Sequence, residues 1–308
     1  MTAPSLGLKL AHMRLVAAIS DRGQLQQAAE DMGLTQPAAS RMLGEIERLI
    51  GAPLFERHPK GMTPTDMGRA FARRARLVAA EMQDLGREVA DLRQGLGGMA
   101  RVGSVTGPAV GYLTPAIRRL REIAPRVEVR VDVAPSTVLL RALAEGELDF
   151  MIGRLLPDSD PSDYTVLPGR PEPISFLVRR GHPLDGRAGL GLAELAAYEW
   201  VIQERGTPIR TAVEAALALE GLAIPQGVVA TSSLLVMVAL LAQSDAVAPT
   251  GHEVNALLCD PPVSAGFTIL TTSTPIELPF YHILSPRGRT LSRAALRLRT
   301  LVQSEMGQ

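Results

Sequence analysis

The sequence predicts a mixed α/β protein with three parts: an N-terminal domain rich in helix, a long connecting helix and a larger two-lobed α/β domain. Residues 25–50 fit two short amphipathic helices with a sharp break between them. Residues 63–92 carry apolar side chains at heptad spacing, and beyond residue 100 strand-like and helix-like segments alternate. The expected limits are 1–62 for the first domain, 63–93 for the helix, 94–99 for a hinge and 100–308 for the α/β domain.

The two short helices have the features of a DNA reader. Gly33 ends the first helix, Thr35 caps the second, and Pro37 is tolerated in its first turn. The second helix has a thin polar face, which would allow it to enter the major groove of DNA. An ordinary helical hairpin with a solvated face is the alternative. The candidate DNA contacts on this helix are Gln36, Pro37, Ser40, Arg41 and Arg48.

A short basic turn follows, and it adds two candidate phosphate contacts, Arg57 and Lys60. The chain as a whole has no net charge, with 32 basic and 32 acidic residues, so the total does not indicate a nucleic-acid partner. The distribution is more informative, because residues 57–76 hold six Lys or Arg and the single acid Asp66. Such a segment could contact phosphates, although a basic run is often only a solvated face.

The long helix is predicted to begin with Thr63 as its cap and Pro64 at its first position, and to end near Leu92. Its narrow apolar stripe repeats every 3.5 residues, which favours a coiled-coil seam with a second copy of the chain. A surface helix packed on its own domain is the alternative. The proposed dimerisation residues are Phe71, Val78, Met82, Leu85, Val89 and Leu92.

The region from Ala28 to Gly68 resembles the DNA-binding region of LysR-type transcriptional regulators. The matching landmarks are Ala28, Ala29, Gln36, Pro37, Ala38, Ser40, Leu43, Glu47, Leu49, Gly51, Pro53, Leu54, Phe55, Arg57, Thr63 and Gly68. The resemblance implies a winged helix-turn-helix, followed by an effector domain like the periplasmic binding proteins. It also implies double-stranded DNA and a small-molecule effector as partners, and a homodimer that pairs into a homotetramer. A contact with RNA polymerase stays open.

The α/β domain is predicted to have two lobes joined by two chain crossings, near residues 160–172 and 270–280. Lobe I would comprise about 100–163 and 271–308, and lobe II about 164–270. Ligands of open α/β sheets bind at the carboxyl ends of strands, against helix N-termini. The candidate effector contacts there are Ser104, Thr106, Ser136, Thr137, Arg205, Thr207, Thr231 and Ser232. Hydroxyl residues before helices are also ordinary caps, which is the alternative.

The expected effector is a sugar or an organic acid, with the acid favoured if Arg205 faces the cleft. The segments GELDFMIGR and TSSLLVMVALLAQSDAVA resemble the branch of the family that regulates galactose-binding-protein and protocatechuate-catabolism genes.

Several other classes of function lack support. The five histidines have no metal-ligand spacing, and no P-loop or nucleophile elbow occurs, so we expect no cofactor, no metal and no enzyme activity. No apolar run could span a membrane, no signal peptide is recognisable, and Cys259 is a lone cysteine, which predicts a cytoplasmic protein. The competing hypotheses are a two-lobed solute-binding protein, which would need a signal peptide and no DNA reader, and an enzyme on an α/β scaffold.

Overall fold

A computed structural model describes residues 7–93, 97–156, 159–225 and 227–307, without the side chains of residues 87, 88 and 90–93. The chain forms two compact units. The first extends to Gly98 and includes the short segments 144–147 and 288–290, and the second contains the remaining residues. The predicted hinge at 94–99 falls partly outside the described residues, at positions 94–96.

The first unit begins with three helices and a hairpin. These elements are α1 (Leu10–Arg22), α2 (Leu25–Asp31), α3 (Gln36–Ile50), β1 (Phe55–His58) and β2 (Gly61–Pro64). The Thr35 hydroxyl accepts a hydrogen bond from the Ala38 amide at 3.4 Å, and Gly51 ends α3 in the left-handed conformation. Leu43 and Ile46 of α3 are fully buried in a core shared with α1 and α2. The polar face of α3 is therefore turned outward.

The long helix α4 spans Asp66–Arg93. The predicted cap and first helical position were two residues early, because Thr63 and Pro64 belong to strand β2 and pair with Glu56 and Phe55. Thr65 is the residue that caps α4, since its hydroxyl accepts a hydrogen bond from the Gly68 amide at 3.0 Å. The hairpin β1–β2, called the wing below, therefore contains two residues that the sequence pattern assigned to the helix.

Lobe I of the second unit is a five-stranded sheet in the order β4-β3-β5-β13-β6. Its elements are β3 (Met99–Ser104), α5 (Thr106–Pro108), a π-helix (Ala109–Leu113), α6 (Thr114–Ile123), β4 (Glu128–Val133), α7 (Ser136–Ala144), β5 (Phe150–Gly153), a 3₁₀ turn (Pro161–Asp163), β6 (Tyr164–Leu167), β13 (His282–Pro286) and α12 (Arg293–Gly307). Strand β3 is parallel to β4 and β5, as the alternating pattern predicted.

Lobe II is arranged around one strand, β7, which is antiparallel to β10, β11 and β12. Its elements are β7 (Glu172–Arg179), α8 (Leu192–Leu195), β8 (Trp200–Ile202), α9 (Pro208–Leu219), β9 (Val228–Ala230), α10 (Leu234–Leu241), β10 (Ala248–Gly251), α11 (His252–Cys259), β11 (Phe267–Leu270) and β12 (Ile276–Leu278). Trp200 lies at the centre of its core, edge-on to Phe176 with ring centroids 5.3 Å apart.

The two crossings lie at 168–171 and 279–281, and the sequence placed the lobe limits several residues away. Strand β6 pairs with β13 and so belongs to lobe I, whereas the predicted limit put it in lobe II. Strand β12 pairs with β7 and so belongs to lobe II, whereas the predicted limit put it in lobe I. Both strands are only three or four residues long, so their own sequences do not indicate which strand they pair with. Helix α11 was not predicted.

Gly68 is a position in the first unit where the main chain leaves no room for an added methyl group. A Cβ atom there would overlap the carbonyl oxygen of Leu54. We expect Gly68→Ala to destabilise the protein by roughly 1–3 kcal/mol, because main-chain atoms must move. Gly86→Ala, in an exposed part of the same helix with no atom near the added methyl, should stabilise it by about 0.5–1 kcal/mol. Chemical denaturation of both variants measures this difference, and equal effects would contradict the close contact.

Candidate functional site

The outer face of α3 presents the residues that the sequence proposed for DNA. Gln36, Pro37, Arg41 and Arg48 are exposed, and Ser40 is half-buried. Gly44 has open space around it, so the middle of this face is thin. Arg41 and Arg48 form no ion pair within the described residues, and their charges are available to an external anion. The helix can therefore approach another surface closely and offer donors to it.

The wing hairpin is held beside α3 by Glu47. One oxygen of this carboxylate accepts hydrogen bonds from the amides of Leu54 and Phe55, at 2.8 and 3.4 Å. Arg57 in β1 and Lys60 in the turn are both exposed. Neither forms an ion pair in the part of the chain that the structure describes. Helix α3 and the wing thus form one surface that carries four uncommitted positive charges.

Helix α4 has an apolar stripe that its own unit does not cover. The N-terminal part is packed on the helical core, where Ala72 and Ala75 are fully buried and Phe71 is partly buried. Four seam residues further along remain largely exposed: Val78 at 46%, Met82 at 49%, Leu85 at 55% and Val89 at 48%. Phe71 therefore contributes partly to the intramolecular core, and the side chain of Leu92 lies outside the described residues.

A cleft of about 180 Å³ lies between the two lobes of the second unit. Lobe I lines it with the ends of β3, β4 and β5, and lobe II with the ends of β8, β9 and β10. This position agrees with the general rule that open α/β sheets bind ligands at the carboxyl ends of strands. Apolar side chains such as Val201, Ile202 and Met237 form much of the wall, with polar groups interspersed.

Five of the eight predicted effector contacts line this cleft: Thr106, Ser136, Thr207, Thr231 and Ser232. They come from four separate segments of the chain, so the fold collects them. Some of them also have structural partners. The Ser136 hydroxyl accepts a hydrogen bond from the Arg154 amide at 3.0 Å, and the Thr207 hydroxyl donates to the Glu204 carbonyl at 2.7 Å.

The remaining three predicted contacts do not line the cleft. Ser104 is fully buried, and its hydroxyl donates to the Val105 carbonyl at 2.9 Å. Thr137 and Arg205 are exposed and lie outside the cleft lining. Ser104 ends a central strand, so its side chain faces the core, whereas the side chain of Thr137 follows Ser136 on another face of α7. The prediction of a cationic contact from Arg205 is therefore corrected.

The charged groups of the cleft are Arg154 and Glu172, and they form an ion pair. Arg154 follows β5 of lobe I, and Glu172 begins β7 of lobe II, so the pair joins the lobes. The Arg154 guanidinium also donates to the Pro279 carbonyl at 2.9 Å. Burial raises the pKa of the Glu172 carboxyl, while the Arg154 guanidinium opposes that rise and Glu253 adds to it. Together the two lining charges cancel.

Sequence reasoning missed Glu172 because it placed the first crossing too broadly, over 160–172. Arg154 follows directly after strand β5, so the rule that selected the hydroxyl residues applies equally to it. A closer look at every charged residue after a predicted strand would have found Arg154. Glu172 is the first residue of its strand and does not follow a strand end, so no local signal of that kind marks it.

Among the described residues, no group of three His, Cys, Asp or Glu side chains is placed to hold a metal ion. Every described helix is too short or too polar to cross a lipid bilayer.

Comparisons with protein families match nearly the whole chain. Residues 10–69 match the family described as bacterial regulatory helix-turn-helix protein, lysR family. Residues 93–307 match the family described as LysR substrate binding domain. These two matches together confirm the fold class and the resemblance that the residues between Ala28 and Gly68 suggested.

Individual proteins give the same result. The chain is 37% identical over 246 residues to the HTH-type transcriptional regulator GbpR of Rhizobium radiobacter, covering 79% of this chain and 82% of the relative. It is 36% identical over 242 residues to GbpR of Azospirillum brasilense, covering 78% and 70%. Its fold is similar to that of a full-length OxyR variant from Pseudomonas aeruginosa, with a TM-score of 0.59, 20% identity and 97% of both chains covered. A structure of full-length CbnR with its target DNA gives a TM-score of 0.54 at 18% identity, covering 97% of this chain and all of the other.

Proposed function

This chain belongs to the LysR family of bacterial helix-turn-helix transcriptional regulators, and we propose that it binds its operator as a homodimer under the control of an uncharged polyol, most simply a sugar. The observation that carries the choice of ligand is the charge-neutral cleft between the lobes. The activity is binding, without a catalytic step, and it takes place in the cytoplasm, where the operator is.

Helix α3 is the proposed base-reading element. Arginine pairs with guanine through two hydrogen bonds, and glutamine pairs with adenine in the same way. Arg41 and Gln36 lie on the exposed face of α3, and the small Gly44 lets that face approach the base edges. Arg57 and Lys60 on the wing are proposed to contact phosphates, which carry no sequence information.

The proposed ligand follows from the groups that line the cleft. Hydroxyl side chains from both lobes supply donors and acceptors for hydroxyl groups of a ligand. Arg154, the cation among the described lining residues, is already paired with Glu172, so a ligand carboxylate would meet a nearby negative charge. Arg205, which would have favoured an organic acid, lies outside the lining. A neutral sugar fits these groups better than an anion does.

Helix α4 is the proposed dimerisation element. Its exposed stripe from Val78 to Val89 is narrow and regularly spaced, as a seam between two helices requires. A homotetramer would need a second apolar surface. The edge strand β4 with α7 offers one, because Val131, Val133 and Val138 are exposed there. A contact with RNA polymerase is proposed only for the case in which the regulator activates transcription.

The first prediction concerns base reading. Arg41→Ala should weaken binding to the chain's own operator by roughly 1–3 kcal/mol, because it removes a base contact. Fluorescence anisotropy with labelled operator DNA measures this loss. Arg297→Ala, at an exposed arginine of α12, is the matched control and should bind normally. Lys60→Ala should instead weaken binding to all DNA sequences and lower the salt slope by about 1. Full operator affinity in Arg41→Ala would exclude this placement of α3.

The second prediction concerns the seam. Leu85→Asp places a charge in the proposed apolar contact, where it would be buried without a partner. The mass in solution, measured by sedimentation velocity, should therefore fall to half. Gln83→Asp adds the same charge to an exposed position of the same helix and should leave the mass unchanged. If both variants sediment like the parent protein, α4 is not the dimer contact.

The third prediction concerns the ligand. A sugar that binds the folded protein should raise the melting temperature, by an amount that corresponds to about 2.7 kcal/mol at a hundred times its Kd. The compounds to compare are D-galactose, L-arabinose and D-glucose against protocatechuate and benzoate. Ser232→Ala should reduce the shift, because its hydroxyl lines the cleft, whereas Thr137→Val should not. A shift with the two acids alone would contradict the proposed ligand class.

A further inference from the structure

Two buried carboxyl groups of lobe II meet behind the cleft. Glu172 is 4% exposed and Glu253, in the first turn of α11, is 7% exposed. One oxygen of each lies 3.2 Å from the point where a Cβ atom of Gly107 would be. Gly251 leaves room for Glu172, and Gly111 leaves room for Glu253, since a methyl group at either position would overlap the acid side chain. Three glycines thus make the space in which the two carboxyl groups converge.

The polar partners of Glu172 and Glu253 lie in lobe I and in the second crossing. Arg154 at the end of β5 forms the ion pair with Glu172. The hydroxyl groups of Tyr112 and Tyr281 both donate to one oxygen of Glu253, at 3.0 and 2.9 Å. Tyr112 belongs to the π-helix of lobe I, and Tyr281 is in the second crossing. These contacts therefore connect lobe II to lobe I beside the two crossings.

The second oxygen of Glu253 is buried and has no hydrogen-bond partner among the described residues. The nearby cations do not supply a hydrogen-bond partner for this oxygen. Arg154 is committed to Glu172 and to the Pro279 carbonyl, and Arg170 donates to the Met306 carbonyl while acting on Tyr112. His282 has its pKa lowered by burial and by Arg154, so it is neutral at pH 7. Two ionised carboxylates beside one paired guanidinium would leave a buried excess charge, which is costly.

A single proton on this pair of carboxyl groups would cancel the excess negative charge. It would also turn one carboxyl oxygen into a hydrogen-bond donor for the other carboxyl group. Burial raises the pKa of Glu172 in spite of Arg154, with a further contribution from Glu253, which agrees with this arrangement. Burial and the neighbouring Tyr112 and Glu253 also raise the pKa of Tyr281, so its hydroxyl stays a donor.

We propose that Glu172 and Glu253 share one proton at neutral pH and that the protonated pair fastens lobe II to lobe I. Loss of this proton leaves two buried like charges on lobe II, which favours separation of the lobes. Opening of the cleft is therefore coupled to pH. This device goes beyond the proposed function, since it operates in the ligand-free protein whatever the effector is.

Infrared spectroscopy of the full chain tests the shared proton directly. At neutral pH the ligand-free protein should show the C=O stretching band of a protonated carboxylic acid, and the band should disappear as the pH rises. Glu253→Gln should lack it, because Glu172 then faces Arg154 without a second acid. Glu277→Gln, at an exposed position of β12, should keep it. The pH titration of the parent protein needs no variant and decides the matter even if Glu253→Gln does not fold.

Hydrogen–deuterium exchange of the two crossings, 168–171 and 279–281, tests the coupling. For a carboxyl group whose pKa is raised in the folded state, stabilisation is present below the ordinary glutamate pKa and is lost as the pH rises through the raised value. The equilibrium for opening should then increase by up to tenfold per pH unit, for one proton released. Above that range the crossings of the parent should exchange faster than those of Glu253→Gln at the same pH.

Three results would overturn the proposal. The first is the absence of an acid band in the parent protein at neutral pH. The second is a band that persists unchanged in Glu253→Gln. The third is slower exchange of the crossings on addition of sodium or potassium chloride, compared with an equal concentration of choline chloride, because a bound metal cation would then hold the two carboxylates. Failure of the sugar experiments would leave these measurements unaffected, so the two proposals are tested separately.

Discussion

The larger unit depends on the buried ion pair between Arg154 and Glu172. It joins the end of a strand in lobe I to the start of a strand in lobe II, at the first crossing. A buried ion pair is rarely more stabilising than well-packed apolar side chains, but loss of one partner costs roughly 3–5 kcal/mol because the other charge remains buried. The main role of the ion pair is therefore to fix the position of the β5 end in lobe I against the start of β7 in lobe II. The two charges also cancel in the cleft wall, which is the basis of the proposed neutral ligand.

Glycines are the reason that this pair and the neighbouring Glu253 fit. The main chain near Gly107, Gly111 and Gly251 passes so close to the two acids that any side chain would displace them. The π-helix at Ala109–Leu113 lies in the same place, and irregular helical turns of this kind are common at functional sites. Close packing of main chain against the carboxyl groups gives the junction between the lobes a defined geometry.

The smaller unit leaves two surfaces uncovered, the polar face of α3 and the apolar stripe of α4. Leu43 and Ile46 bury one side of α3, so the opposite side is free to meet DNA. Glu47 ties the wing to the same helix through two main-chain amides. Along α4 the stripe that includes Leu85 stays exposed, which has a cost in water unless another surface covers it. Both surfaces are incomplete in a single chain.

The sequence by itself determined the local elements of this protein: the caps and breaks around α3, the heptad spacing of α4 and the alternation of strands and helices. These features depend on near neighbours in the chain, so periodicity and capping chemistry suffice to predict them. Only the tertiary structure decided which side chains meet. It brought Thr106, Ser136 and Ser232 to one cleft, left Arg205 outside it, and placed Glu172 beside Arg154. The physical reason is that periodicity specifies the face on which a side chain lies, whereas the distance between segments far apart in sequence depends on how the sheets pair and where the chain crosses between them.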